Sequence, residues 1–154
     1  MKKGFTLIEL LIVMVVVGVL VTISLPKYRA SMERGRAMEA ITNLRAASDI
    51  VNARYVINGN SYTAIGVATS ASNGTFVSGD FTKEQYFTAP RLTLTSGTAG
   101  SATVTTSRDD SSYTLKAYNS GGDLQYIECT GDAELCQNIG MELSGGKYLM
   151  RFTE

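Results

Sequence analysis

Lys2-Lys3-Gly4-Phe5-Thr6-Leu7-Ile8-Glu9-Leu10-Leu11-Ile12-Val13 opens the stretch that decides how this chain is built. From Phe5 to Leu25 the only ionisable side chain is Glu9, and about 20 apolar residues are enough to cross a bilayer as a helix. A lone carboxylate at that depth is costly and marks function. Lys2 and Lys3 ahead of the run leave the N-terminus in the cytoplasm and the rest outside, by the positive-inside rule.

Composition sets the limits around this segment. The 154 residues, 44% hydrophobic and 18% charged, suit one membrane segment and one modest globular domain. Net charge is zero but uneven: residues 1–60 hold eight Lys/Arg against four Asp/Glu, and residues 61–154 hold six against ten. The C-terminal part is no basic surface, so nucleic acid is not an expected partner. There is no His, the commonest general base and zinc ligand. No Ser/Lys, Cys/His or paired-carboxylate constellation and no phosphate-binding glycine pattern stands out. Neither catalytic residues nor a cofactor are expected.

Three readings compete for Met1–Pro26: a cleaved secretory signal, a plain signal anchor, and a segment processed ahead of its apolar run. A secretory signal places a small-x-small site after roughly 7 to 15 apolar residues. Thr22-Ile23-Ser24 matches that weakly, and the apolar run here is longer. A signal also has no need for Glu9, nor for the helical pattern that continues past Pro26.

Lys2-Lys3-Gly4 followed by Phe5-Thr6-Leu7-Ile8-Glu9 resembles the class III leader of type IV pilins and the related pseudopilins. The resemblance covers about the first 60 residues and implies cleavage by a prepilin peptidase after Gly4, with N-methylation of the new terminus, Phe5. Residues 1–4 are then the leader and 5–25 the transmembrane and filament-core helix. Glu9 falls on the family's assembly glutamate, and Gly18 and Pro26 on its helix-loosening positions. The charge logic agrees. After cleavage the amine of Phe5 lies one helical turn from Glu9, and a neighbouring subunit's amine is a partner for that carboxylate in lipid. Snorkelling of Glu9 into interfacial water is the simpler alternative.

Past Pro26, Met38, Ile41, Leu44, Val51 and Tyr55 recur at helical spacing with charged residues mostly between them. Asn58-Gly59-Asn60 supplies a stop. The expectation is an amphipathic stem over 26–58, with a kink or local melting between Gly18 and Pro26.

Residues 59–154 form the expected head. Residues 60–100, rich in Ser, Thr, Gly and Ala, read as long loops, including 68–74 and 96–100. Strand signals follow at 102–106, 113–118, 124–129 and 147–152, separated in part by Asn119–Asp123 and Gly145-Gly146. Tyr113, Leu115 and Ala117 alternate onto one face able to cover the stem. The fold class is α+β: a long N-terminal helix, membrane-spanning in its first half, on a roughly four-stranded antiparallel sheet. Cys129 and Cys136, outside the cytoplasmic membrane, are expected to pair and to bound an acidic loop, Thr130–Leu135. Two thiolates without His fall short of a metal site. Asp109-Asp110-Ser111-Ser112 reads as a polar hairpin tip ahead of a calcium loop.

The resemblance implies a structural subunit of a type IV pilus, single-pass in the inner membrane before assembly and in a surface fimbrium afterwards. Its partners are further copies of the chain, the prepilin peptidase/N-methyltransferase, an inner-membrane assembly platform and, before assembly, the bilayer. One alternative is a type II secretion pseudopilin, whose major form usually lacks this disulfide and carries calcium. The other is a minor pilin binding DNA, which the head's charge opposes and which would need a local patch such as Arg91 with Lys83.

Overall fold

The structure is a computed structural model that describes residues 6–62, 74–75, 86–88, 90–94 and 100–152. The residues flanking the expected cleavage point, Gly4 and Phe5, the loop stretches 68–73 and 96–99, and Lys83 lie outside the described residues.

A single helix, α1 (Leu7–Ile57), runs unbroken for 51 residues, about 77 Å at the α-helical rise. Thr6 caps its start. At its end the Asn60 N–H donates to the Tyr55 carbonyl and the Gly59 N–H to that of Val56, closing the helix at the expected Asn58-Gly59-Asn60. Of the kink or local melting expected between Gly18 and Pro26, the melting is not found: Pro26 lies inside the continuous helix. Proline removes one backbone donor, but releasing a whole turn would leave several backbone groups without partners in an apolar setting. Just upstream, the Thr22 and Ser24 hydroxyls donate to the Val19 and Leu20 carbonyls, both at 2.7 Å.

The buried face of α1 begins only at Glu33 and continues through Ala37, Ala40, Ile41, Leu44, Ala47, Ser48, Val51 and Asn52. Met38, expected on this face, is 48% exposed. Small side chains at Ala37, Ala40 and Ala47 let the helix backbone approach the sheet closely, and that contact, rather than the bulkiest residues, sets the rotation of the helix.

The sheet is antiparallel and has seven strands among the described residues: β1 (Gly74–Thr75), β2 (Arg91–Leu94), β3 (Ser101–Ser107), β4 (Tyr113–Ser120), β5 (Asp123–Gly131), β6 (Glu142–Ser144) and β7 (Lys147–Arg151). Their spatial order is β1-β2-β3-β4-β5-β7-β6. The four expected strands are present as β3, β4, β5 and β7. The loop reading of residues 60–100 is corrected at β1 and β2, which extend the sheet at one edge; β6 extends it at the other.

Alternation does the rest. β3 buries Ala102, Val104 and Thr106, and β4 buries Tyr113, Leu115, Ala117 and Asn119. Ala102, Val104, Tyr113, Leu115 and Ala117, with Ile127 of β5, pack with Ile41, Leu44 and Val51 in one core. Fully burying each large aliphatic chain contributes about 1.5–3 kcal/mol. Gly121-Gly122 and Gly145-Gly146 connect β4 to β5 and β6 to β7 as two-residue turns with positive φ at both positions. That is the turn whose twist matches a hairpin, and glycine adopts it without strain.

Candidate functional site

Among the described residues, nothing covers the N-terminal part of α1. The apolar side chains from Leu7 to Leu25 are all exposed, Leu7 at 91% and Leu25 at 48%, and the helix is long and apolar enough to cross a membrane. From Leu7 to Leu25 it rises about 28 Å, close to the thickness of a bilayer's hydrocarbon core.

Glu9 sits in the first turn of this helix and is already engaged. Its Oε2 accepts from the Thr6 backbone N–H at 2.9 Å and from the Thr6 hydroxyl at 2.8 Å. In return Thr6 Oγ1 accepts from the Glu9 backbone N–H at 3.4 Å. This is a capping box, in which two helix-start donors and a side-chain carboxylate satisfy one another. A carboxylate there also faces the positive end of the helix dipole. The sequence reading missed it, although Thr-x-x-Glu is its written signal. The box puts the Glu9 carboxylate against the backbone N–H of Thr6, one residue beyond Phe5.

Gly18 lies mid-way along the exposed segment, with open space around its Cα. Pro26 lies where that segment ends. The structure brings Thr6 and Glu9 together, while Gly18, Pro26 and the cysteines occupy separate places along the molecule.

A second polar cluster locks the head to the stem, and its anchor, Glu33, had gone unnoticed in the sequence. Glu33 Oε1 accepts from the Tyr113 hydroxyl at 2.8 Å and lies 3.0 Å from Arg108 Nε; Oε2 accepts from Arg108 Nη2 at 3.1 Å. Arg36 adds a longer contact at 3.3 Å. The guanidinium groups of Arg36 and Arg108 lie over the Tyr86 ring, at 4.3 and 5.2 Å from its centre. Burial first, and then the Glu33 carboxylate, raise the Tyr113 phenol well above its ordinary range. The signal was a charge in phase with Ala37, Ala40 and Leu44 on the apolar face.

At the other end of the head the Gly122 N–H donates to the Tyr62 hydroxyl, which donates to Asn52 Oδ1 at 2.8 Å. Asn52 then donates to Asn119 Oδ1 at 3.1 Å. Helix, loop and hairpin are thus tied by polar contacts at both ends of the core.

Cys129 and Cys136 form a disulfide joining β5 to a short helix, α2 (Ala133–Asn138). The expected open loop is partly helical: Asp132 caps α2 by accepting from the Glu134 and Leu135 N–H groups. Asp132 and Glu134 remain exposed. Asp109-Asp110-Ser111-Ser112 forms the turn between β3 and β4, where Asp110 Oδ1 accepts from both the N–H and the hydroxyl of Ser112. Among the described residues, no three His, Cys, Asp or Glu side chains gather as a metal would require.

Residues 1–25 match the family described as the prokaryotic N-terminal methylation motif. The chain is 37% identical over 87 residues to the type IV major pilin protein PilE of Neisseria gonorrhoeae, covering 54% of this chain and 50% of that one. A second gonococcal major pilin, PilE1, is 33% identical over 103 residues, covering 65% and 56%. A fimbrial protein of Moraxella nonliquefaciens is 49% identical over 41 residues, 27% of each chain. The chain thus spans about half the length of the gonococcal and meningococcal relatives it matches. No solved structure matches it. With the methylation motif on residues 1–25 and this similarity beyond it, the chain is similar to the type IV pilins over about half of its length.

Proposed function

We propose that the chain is a structural subunit of a type IV pilus. In this reading it waits in the inner membrane with its N-terminus in the cytoplasm, is cut after Gly4 and methylated on Phe5, and polymerises through α1 into a surface filament. The observation that carries it is the methylation motif placed on a helix whose Leu7–Leu25 portion is exposed along its whole length. Such a surface needs lipid in the precursor and other subunits in the filament. The partners are therefore further copies of the chain, the prepilin peptidase and methyltransferase, an inner-membrane assembly platform and the bilayer. Phe5 and Glu9 would act in subunit pairing, Gly18 and Pro26 in loosening the helix during packing, and the Cys129–Cys136 bridge in bracing the head. The relatives are major pilins by name, which agrees with a role other than catalysis.

Mass spectrometry of the envelope protein tests the processing step. The expected chain starts at N-methylated Phe5; a chain starting at Met1 in cells that contain the peptidase refutes it. Electron microscopy of filaments sheared from the cell surface, with this subunit identified in them, tests the assembly step.

A further inference from the structure

A groove opens where α2 overhangs the stem, directly above the end of the apolar segment, and none of the roles above uses it. Leu25, Pro26, Met32 and Leu135 give it an apolar lining, to which Arg29 and Glu134 add opposite charges. Leu25 and Met32 are 48% and 43% exposed, so the lining is accessible.

We propose that this groove seats the headgroup of an anionic phospholipid from the leaflet the head faces, with its phosphate on Arg29 and its upper acyl carbons on Leu25 and Leu135. The inference rests on Phe5–Leu25 being a membrane span. Depth selects the cation. Arg29 lies about 6 Å above Leu25 along the helix, within the headgroup layer, whereas Arg36 lies about 16 Å above it and outside. Arg36 is in any case held by Glu33 and the Tyr86 ring.

Charge supports the same occupant. Residues 26–36 carry Lys27, Arg29, Arg34 and Arg36 against Glu33 alone, and Glu33 is engaged by Arg108. Lys27 and Arg34 line a second groove beside α2, so cations stand on both of its flanks. These four exceed Lys2 and Lys3 ahead of the span. Placed on the outer side, they oppose the Lys/Arg bias that orients such helices, and an anionic surface that gathers them offsets the conflict. Tyr28, 63% exposed, lies at the level where aromatic side chains anchor helices to headgroups. Of the two carboxylates that line the groove, Glu33 is engaged by Arg108 and Tyr113, so Glu134 is the opposing group whose removal makes a prediction of definite sign.

The test uses the full chain in nanodiscs of phosphatidylcholine containing about one-fifth phosphatidylglycerol, a share that keeps the surface anionic. Native mass spectrometry then counts the lipids that stay bound. Phosphatidylglycerol should be retained several-fold above its share of the bilayer; Arg29→Gln should bring it back to that share, and Glu134→Gln should raise it. Both side chains are exposed, and an unchanged near-ultraviolet tyrosine spectrum will show that the head stays folded. Retention that mirrors the bulk mixture, or that is indifferent to Arg29→Gln, overturns the proposal. So does shielding of Arg29 by a second copy of the chain without bound lipid. A chain that fails to insert refutes the membrane reading instead, which separates the two failures.

Discussion

Replacing Glu33 by Gln keeps the shape of the side chain and removes the charge that joins stem to head. Glu33 and Arg108 are each about nine-tenths buried, both side chains being 11% exposed. In the variant the nearest carboxylate to Arg108 is Asp110, 4.0 Å away and 61% exposed. Removing one member of a buried ion pair costs about 3–5 kcal/mol. Arg108 retains the Tyr86 carbonyl and two aromatic faces, so the lower end, about 3 kcal/mol, is expected. For a domain of the head's size that lowers Tm by about 12–24 °C. Arg36→Gln removes a partly exposed pair and one ring contact, together about 1 kcal/mol. The triple variant Glu33→Leu, Arg108→Leu, Tyr113→Phe removes the buried Glu33–Arg108 pair as a whole and should recover much of the loss. Urea unfolding of the full chain in detergent micelles, followed by the near-ultraviolet tyrosine signal, measures all three. A Glu33→Gln variant within about 1 kcal/mol of the parent, or no more damaged than Arg36→Gln, would show that the cluster does not join the two halves.

Removing the Cys129–Cys136 bridge by paired Ser substitutions should cost about 2.5 kcal/mol from loop-closure entropy alone; the same unfolding assay reads it, and an unchanged midpoint contradicts the bracing role. Burial, and the hydrogen bond to the Glu128 carboxylate, push the Tyr118 phenol up to about 12 from an ordinary 10. The folded state therefore holds that proton more tightly, so the contribution is complete below pH 10 and is lost as pH rises through 12. Tyr118→Phe should flatten the alkaline loss of stability, and an identical slope in the variant excludes this source. Glu9→Ala should leave cleavage after Gly4 intact while abolishing filaments of regular register. Thr6→Val, which removes only the cap at about 1 kcal/mol, should weaken assembly less, and normal filaments from Glu9→Ala cells would refute the pairing.

Much of this architecture is legible in the residues because it depends on local rules. The apolar span, the Asn58-Gly59-Asn60 stop, the Gly-Gly hairpins and the alternation of β4 each need only a few consecutive residues to be specified. Legibility fails where a distant partner decides. Arg91–Leu94 carries two apolar residues in a Ser/Thr-rich stretch and becomes a strand because β3 offers it an edge. Glu142–Ser144 is three residues long and forms only against β7. The rotation of the stem was misjudged at Met38 because bulk was weighed above fit, whereas the sheet selects the alanine face. Glu33 reads as an ordinary stem charge until Arg108 and Tyr113, 75 and 80 residues away, are brought against it. The Thr6–Glu9 box is the exception: a local motif, overlooked because a carboxylate in an apolar run points first to a partner elsewhere.

That box changes the energetic reading of assembly. A bare carboxylate in lipid would make a neighbour's amine the main source of stabilisation. With Oε2 already accepting two hydrogen bonds from Thr6, an incoming amine adds only the difference, on the order of 1–3 kcal/mol for a charge-assisted contact. The fifteen large apolar side chains exposed between Leu7 and Leu25 offer far more. In the bilayer they gain nothing by associating, since lipid tails are as apolar as they are. Once the helix leaves lipid for a filament surrounded by water, burying them at about 1.5 kcal/mol each amounts to roughly 20 kcal/mol. Apolar burial then supplies the cohesion, but a smooth surface of Leu, Ile and Val holds at many axial offsets. Glu9 is the one charged side chain among the described residues of this segment, so in the proposed filament its pairing with a neighbour's terminal amine would single out an offset and set register rather than hold the filament together.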